Sequence, residues 1–298
     1  MFRKNPFETA MNQGEKYLIK GEYEKSKEMY LKAFSMNPED LGIINNLCQI
    51  YRLLEDDGKA KGYAEMLLKK CDELLTYERA EDFLILKANA LLCLEKYEEL
   101  NAVADELLSL DSESHIATAY KLTYFENESD DYEAINCINT LLKFDPRDIN
   151  LILAKGKHLT NLNEFDNAER CYNIVLQRNA KDKNAITFKS ELLKKKHGIE
   201  VTSHDYMLKA VENYELKNYE ASENFYRKAL EMDSNFEEIW FAQGELFAMM
   251  GKMDDALNSF EKAFEINPNL KEIKKENKII KAINFMQKVR KTFHINSN

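Results

Sequence analysis

Ser203 and His204 are adjacent, and a serine beside a histidine is a residue pair that could act as a nucleophile with its general base. Adjacency in the sequence does not establish the required geometry. The pair also follows Thr202 where a new helix is expected to begin, and hydroxyl side chains are favoured at helix starts. We therefore interpret Thr202 and Ser203 as helix-capping residues rather than as catalytic ones.

Three acidic pairs could supply the two carboxylates of general acid–base chemistry: Asp56–Asp57, Asp130–Asp131 and Asp254–Asp255. All three fall in or beside turns expected between helices. Aspartate at a helix start accepts backbone N–H bonds and suits the helix dipole. A capping role explains these pairs without catalysis.

The sequence contains no residue pattern typical of a metal site or of a phosphate-binding loop. The five histidines never pair at i, i+4, and no cysteine or carboxylate stands at metal-ligand spacing. The nine glycines form neither G-x-G-x-x-G nor a phosphate loop. The five cysteines include no C-x-x-C pair and are expected to be buried thiols. The sequence predicts no cofactor, no metal and no enzyme activity.

Composition points to helices with short connections, since a chain that is 44% hydrophobic holds only nine Gly and four Pro. The net charge is −10, although residues 271–298 carry eight Lys/Arg against two Glu. The rest of the chain is therefore acidic, which argues against nucleic acid as a partner. No apolar run of 18 residues and no apolar N-terminal region occur, so we expect no membrane segment and a cytoplasmic location.

A short segment of the sequence recurs with a fixed period. Residues 31–40 read LKAFSMNPED and residues 261–270 read EKAFEINPNL. Pro38, Pro146 and Pro268 end similar phrases, and a period of 34 with two insertions accounts for both gaps between them. Cys137 and Cys171 are also 34 residues apart. A period of 34 is typical of a helix–turn–helix repeat.

The stretch 237–270 resembles the tetratricopeptide repeat (TPR) family position by position. Counting from Glu237, the matching residues are Trp240 at 4, Gly244 at 8, Phe247 at 11, Ala256 at 20, Phe260 at 24, Ala263 at 27 and Pro268 at 32. Small residues at 8, 20 and 27 allow helices to approach closely, and proline ends the second helix. Residues 7–40 match strongly too, with Ser26 in place of alanine at position 20.

Seven such units cover about 238 of the 298 residues. The resemblance implies an all-α fold, an alpha-alpha superhelix (TPR solenoid), because one helix pair cannot bury its own apolar face and must stack on others. The predicted organisation is residues 1–182 with repeats one to five (7–40, 41–74, 81–114, 115–148 and 149–182), an extra helix and link at 183–202, repeats six and seven at 203–270, and a C-terminal capping helix and tail at 271–298.

The resemblance also implies a binding surface on the inner face of the first helix of each repeat. Its expected residues are polar and rich in amides: Asn45, Gln49, Arg52, Asn89, Thr123, Asn127, Asn150, Lys157 and Asn161. Amide side chains both donate and accept hydrogen bonds, which suits the backbone of an extended peptide.

Some members of the family grip chaperone C-terminal tails with Lys and Asn on this face. Repeat one has Met11 and Glu15 at those positions, and repeat six has Met207 and Val211, so a chaperone tail is disfavoured as partner. The sequence favours a non-catalytic scaffold that binds a peptide or protein. The alternative is a regulatory enzyme, or enzyme subunit, with a substrate-holding repeat domain.

Overall fold

The chain is helical throughout the part that the structure, a computed structural model, describes: residues 5–77, 80–274 and 281. Those ranges contain sixteen helices and no strand. The helices are, in chain order, α1 (Pro6–Ile19), α2 (Tyr23–Met36), α3 (Leu41–Leu53), α4 (Asp57–Leu75), α5 (Glu81–Cys93), α6 (Tyr97–Leu110), α7 (His115–Asn127), α8 (Asp131–Phe144), α9 (Ile149–Asn161), α10 (Phe165–Arg178), α11 (Lys183–His197), α12 (Ser203–Glu215), α13 (Tyr219–Met232), α14 (Glu237–Met249), α15 (Met253–Ile266) and α16 (Leu270–Ile273).

Fourteen of these helices form seven consecutive pairs, each joined by a three-residue turn that makes its two helices antiparallel. In every pair the first helix has 13 or 14 residues and the second has at least 14. The predicted fold class, an all-α array of about seven helix–turn–helix repeats, is confirmed.

One residue in each of the seven turns has a left-handed backbone. These residues are Gly21, Glu55, Glu95, Ser129, Asn163, Lys217 and Gly251, with φ between 57° and 76°. Five of the seven are not glycine, although a side chain disfavours this conformation. The intervals between them are 34 residues, except for 40 before Glu95 and 54 before Lys217. The backbone thus keeps one register through the repeats whose sequences match the family weakly.

Glycine on the first helix lets an aromatic ring of the second helix lie against the backbone. A Cβ on Gly156 would stand 2.5 Å from the ring of Tyr172. A Cβ on Gly244 would stand 2.9 Å from the ring of Phe260. Real Cβ atoms do not approach this closely, so these glycines are required by packing.

Serine at position 20 of a repeat is compatible with this close packing because its hydroxyl finds a partner. The buried Ser26 hydroxyl donates to the carbonyl of Gly14 at 2.7 Å. The buried Ser222 hydroxyl donates to the carbonyl of Ala210 at 2.8 Å. The departure of Ser26 from the alanine of the family therefore adds a hydrogen bond between the paired helices.

The two insertions take different forms. The first lengthens α4, which has 19 residues and ends at Leu75. The second forms α11, which ends where Gly198 adopts φ 65°, a left-handed C-cap. Thr202 is the N-cap of α12 and forms a capping box with Asp205. Ser203 is the first residue of that helix rather than its cap.

The chain divides into two compact units, Met1–Phe144 and Asp145–Asn298, called here the N-terminal unit and the C-terminal unit. In the N-terminal unit, buried residues of neighbouring repeats form continuous apolar clusters, such as the one that joins Ala33, Leu47 and Leu67. All five cysteines are buried and unbridged, as the sequence predicts. The predicted capping helix over 271–291 lies mostly outside the described residues, which include only its first turn and residue 281.

Candidate functional site

Asn45, Gln49 and Arg52 form one stripe along α3, since residues at i, i+4 and i+7 share a helix face. The helix is started by Asp40, whose side chain accepts a 3.0 Å hydrogen bond from the backbone N–H of Ile43. Asn45 and Gln49 are half-buried and Arg52 is exposed. The opposite face of α3 packs into the apolar core, so this stripe is the face that a partner can reach.

The side-chain oxygen of Asn45 is buried and accepts no hydrogen bond within the described part of the chain. Most buried polar atoms of folded proteins have a partner, so an orphan acceptor calls for water or a ligand donor. Leaving such an atom without a donor costs about 1–3 kcal/mol. Because this oxygen is buried, a ligand N–H can complete its bonding only if the Asn45 side chain turns outward.

Asn89 lies on α5, the next first helix, which packs directly against α3. Its side-chain oxygen accepts a 2.8 Å hydrogen bond from the hydroxyl of Tyr120 on α7. Burial raises the pKa of Tyr120 to about 12, so the phenol stays protonated and donates. With its oxygen held by Tyr120, Asn89 has its N–H groups to offer a ligand.

Thr123 and Asn127 lie on α7 and bond within their own chain segment. The hydroxyl of Thr123 donates to the carbonyl of Ala119 at 3.2 Å. The amide of Asn127 donates to the carboxylate of Glu128 at 3.1 Å. Neither contact preorganises these side chains toward Asn45 or Asn89.

Asn150, Lys157 and Asn161 lie on α9 of the C-terminal unit and are exposed. The nine predicted residues are therefore divided between two units, with six in the N-terminal unit and three in the C-terminal unit. In the C-terminal unit, Lys195 of α11 donates to the backbone carbonyls of Thr160 and Asn161 at 2.9 and 3.2 Å. The end of α9 is thus already contacted by the extra helix.

The extra helix also changes the first helix of repeat six. α11 packs against both α10 and α12, and Met207 and Val211 of α12 are buried. These two residues occupy positions that the family resemblance places on an open binding face. The C-terminal unit therefore has no open inner face at α12. The 34-residue pattern does not reveal this departure from the family, because it does not say where an unpaired helix packs.

A buried ionic cluster holds three helices of the C-terminal unit together. The Lys189 ammonium on α11 lies 2.5 Å from a carboxylate oxygen of Glu238 on α14, and that oxygen also accepts a 2.9 Å hydrogen bond from Nε2 of His204 on α12. Lys189 is 1% exposed, Glu238 is 3% exposed and His204 is fully buried.

The ionisation of this cluster follows from burial and from the lysine charge. Burial lowers the pKa of His204, so the ring is neutral near pH 7 and its Nε2–H donates to the carboxylate. Burial alone would raise the pKa of Glu238, but the charge of Lys189 and the hydrogen bond from His204 hold it well below its usual range. The cluster is a closed structural contact, and no sequence pattern predicted it.

Metal-ligating groups do not gather anywhere in the described ranges: no set of three His, Cys, Asp or Glu is placed to hold an ion. Across residues 5–77 and 80–274, no helix has the length and apolar character needed to cross a bilayer.

Comparison with known families matches three of the seven repeats. Two models described as "Tetratricopeptide repeat" match residues 237–270 in one case and residues 7–40 and 206–236 in the other. Three of the seven helix pairs are thus matched as tetratricopeptide repeats, and the other four share their turn register.

A curated relative is a TPR repeat-containing protein of Methanocaldococcus jannaschii, 23% identical over 83% of this chain and 50% of the relative. The chain therefore spans about half the length of the relative it matches.

Solved structures with similarity include a thermophilic TPR protein of Thermus thermophilus (13% identity, 63% of this chain and 98% of that one, TM-score 0.49) and a tetratricopeptide repeat protein of Parabacteroides merdae (14% identity, 92% and 98%, TM-score 0.45). Another is YrrB, described as a TPR protein with an unusual peptide-binding site (18% identity, 69% and 94%, TM-score 0.38).

Proposed function

We propose that this chain is a non-catalytic scaffold that binds an extended peptide segment of a partner protein. The binding surface is the inner face of the N-terminal unit, made by Asn45, Gln49 and Arg52 of α3 with Asn89 of α5. Tetratricopeptide repeats in general mediate protein–protein interaction, and the polar stripe on α3 supports this face over the others.

The observation that carries the proposal is the polar stripe that Asn45, Gln49 and Arg52 form on the accessible face of α3. A peptide backbone alternates N–H donors with carbonyl acceptors, so a chain crossing α3 and α5 would accept from the N–H groups of Asn89 and, once the Asn45 side chain turns outward, donate to its oxygen. Gln49 adds a second amide one turn along α3. Arg52 adds an exposed positive charge on an otherwise acidic protein, which favours a peptide with a carboxylate near that end.

The three residues on α9 are left out of this surface. They belong to the other unit, and Lys195 of α11 already bonds backbone carbonyls at the end of that helix. We further propose a reducing compartment such as the cytoplasm, because all five cysteines are free thiols.

A peptide selected from a random display library against the purified protein provides the test. Its affinity is measured by calorimetry for the parent and for the triple variant Asn45→Ala, Gln49→Ala, Arg52→Ala. Each lost hydrogen bond is worth about 0.5–1.5 kcal/mol, so three together should weaken binding by one to three orders of magnitude.

The matched control is a triple variant of exposed residues on second helices of the same unit: Glu65→Ala, Lys69→Ala and Asn136→Ala. The control should bind the peptide as tightly as the parent, and both variants should melt within a few degrees of it. Equal weakening by the two variants, or none by the α3 variant, would reject this surface as the binding site.

A further inference from the structure

A cleft of about 360 Å³ opens in the C-terminal unit, where the link after α11 passes the end of α13. Its apolar walls come from the last turns of α11, from the link over residues 198–202, and from the end of α13 with the segment that follows it. The apolar residues that line the cleft are Leu193, Ile199, Val201, Met232 and Phe236. Because the link belongs to the insertion outside the 34-residue period, the repeat pattern does not predict this cleft.

Phe236 gives the cleft a fixed inner wall. Its half-buried ring and the ring of His204 have centroids 4.6 Å apart. The Lys189 ammonium lies 4.6 Å from the centroid of the same Phe236 ring. Both contacts belong to the buried ionic cluster of this unit, so the ring is held in place before any ligand group packs against it.

The rim of the cleft is made of apolar side chains that water can reach. The exposed fractions are 44% for Ile199, 46% for Val201 and 49% for Met232. An exposed apolar rim around a preformed wall is typical of a site that takes an apolar side chain.

The hydroxyl groups of the cleft already have partners. Thr202 and Ser203 line the cleft and are each 3% exposed. The Thr202 hydroxyl lies 2.9 Å from that of Ser190, and the Ser203 hydroxyl lies 3.3 Å from Nδ1 of His204. Among the described residues that line the cleft, no hydroxyl is left unpaired for a ligand, so the group that enters should be apolar.

Negative charge lies beside the cleft without a partner in the described part of the chain. Asp233 lines the cleft, and one of its carboxylate oxygens accepts a 2.9 Å hydrogen bond from the backbone N–H of Asn235. Glu200 lies in the link between Ile199 and Val201 and is exposed. Neither carboxylate forms an ion pair with a basic side chain of the described residues.

The lysines in the last turn of α11 are engaged elsewhere. Lys194 bonds a carboxylate oxygen of Asp205 at 2.8 Å, and Lys196 bonds Asp166 at 2.8 Å. Lys195 bonds the backbone carbonyls at the end of α9. The unbalanced charge beside the cleft is therefore negative, which favours a ligand that carries a positive group.

We propose that the cleft binds one bulky apolar side chain of a partner protein, with a neighbouring Lys or Arg of that partner placed against Asp233 and Glu200. A volume of about 360 Å³ is at the small end of ligand sites and fits a single aromatic or branched side chain rather than a length of peptide. This contact does not depend on the proposed surface on α3 and α5, and it gives the chain a second point of attachment.

The test uses two short probes: acetyl-(4-fluorophenylalanyl)-lysine amide and its counterpart with glutamate in place of lysine. Fluorine NMR of each probe, titrated with the full chain at pH 8, where histidine is ordinarily uncharged, measures the affinity. The lysine probe should bind with a dissociation constant on the order of 1 mM, and at least about threefold more tightly than the glutamate probe. Carbon NMR of labelled methionine methyl groups should show a shift at Met232 and none at Met249, which is similarly exposed but does not line the cleft.

Two double variants separate the apolar contribution from the charged one. Val201→Ala with Met232→Ala removes two exposed lining side chains and should weaken binding of the lysine probe about five- to tenfold. Asp233→Asn with Glu200→Gln should bring the affinities of the two probes within about twofold of each other. The matched control, Leu216→Ala with Met249→Ala, removes exposed apolar side chains that do not line the cleft and should bind like the parent.

Equal affinity for the two probes, or equal weakening by the lining variant and its control, would overturn the proposal. So would a Met232 shift that depends on protein concentration without any probe, because the rim would then contact a second copy of the chain. The variant Asn45→Ala, Gln49→Ala, Arg52→Ala should bind the lysine probe like the parent, which separates this site from the proposed function. Weakened binding by that variant would place the probe on α3 and reject the cleft.

Discussion

The Lys189 ammonium lies 2.5 Å from a carboxylate oxygen of Glu238, 49 residues further along the chain, and both groups are shielded from water. Lys189 also stands over the ring of Phe236 and bonds the side-chain oxygen of Asn173 at 2.7 Å. The lysine therefore satisfies polar groups on α10 and α14 at once. It connects α11, the helix outside the repeat pattern, to its surroundings.

Replacing Lys189 with Met should destabilise the C-terminal unit by about 3–5 kcal/mol, because the carboxylate of Glu238 is left buried without its charge partner. Trp240 on α14 is the single tryptophan, so its fluorescence during denaturant unfolding reports on this unit. Lys262→Met removes an exposed pair with Glu265 and should cost less than about 1 kcal/mol. Similar losses in the two variants would contradict the role assigned to Lys189.

Stability of the C-terminal unit should fall as the pH falls below about 6.5. Folding lowers the pKa of His204 from its unfolded value of about 6.5. Between these two pKa values the unfolded chain binds more protons than the folded chain, so stability is lost as the pH falls. Glu238 acts in the same direction at lower pH, since its folded pKa is also depressed. The His204→Gln variant should lose less stability, by on the order of 1 kcal/mol, between pH 7 and pH 5. Parallel pH profiles for parent and variant, followed by Trp240 fluorescence, would show that His204 contributes nothing.

Two glycine-to-alanine changes should have opposite signs. Gly156→Ala places a methyl group against the Tyr172 ring and should cost about 1–3 kcal/mol. Gly62→Ala, in the middle of α4, meets no atom within 4 Å and should stabilise by about 0.5–1 kcal/mol through helix propensity. Thermal unfolding by circular dichroism measures both changes. A neutral Gly156→Ala would mean that the ring can move aside.

Glycine at the left-handed turn positions should stabilise the repeats. Lys217→Gly relieves a φ of 61° and should gain about 1 kcal/mol, whereas Gly251→Ala forces a side chain into a φ of 76° and should lose about as much. Because both turns lie in the C-terminal unit, Trp240 fluorescence reports on both. Lys217→Ala is the control for loss of the lysine itself, and equal stability of the alanine and glycine variants would contradict the strain.

The helix pairs could be predicted from the sequence because each repeat has its packing residues at fixed positions. Gly156 opposite Tyr172 and Ala33 in the core follow from period and phase alone. The same reasoning predicted α11 as a helix covering the end of repeat five, on which it packs, but not its buried contact with α14, since contacts between residues far apart do not follow a local period. The Lys189–Glu238 pair is of this kind.

The candidate site was predictable in part. Asn45, Gln49 and Arg52 share a face of α3 because three positions of one helix follow from its geometry alone. The contact of Asn89 with Tyr120 could not be predicted. That contact depends on the angle between neighbouring first helices, which a local sequence pattern does not determine.

Lys274, at the end of α16, donates to the backbone carbonyl of Arg178 at the end of α10, across 96 residues of chain. A contact of that span can form only after a long loop has closed, and loop closure slows folding. The C-terminal unit should therefore fold late and as a whole. The N-terminal unit, whose helices contact near neighbours in sequence, can instead gain or lose structure one repeat at a time. During synthesis, the N-terminal unit can therefore become ordered before residue 274 has been made.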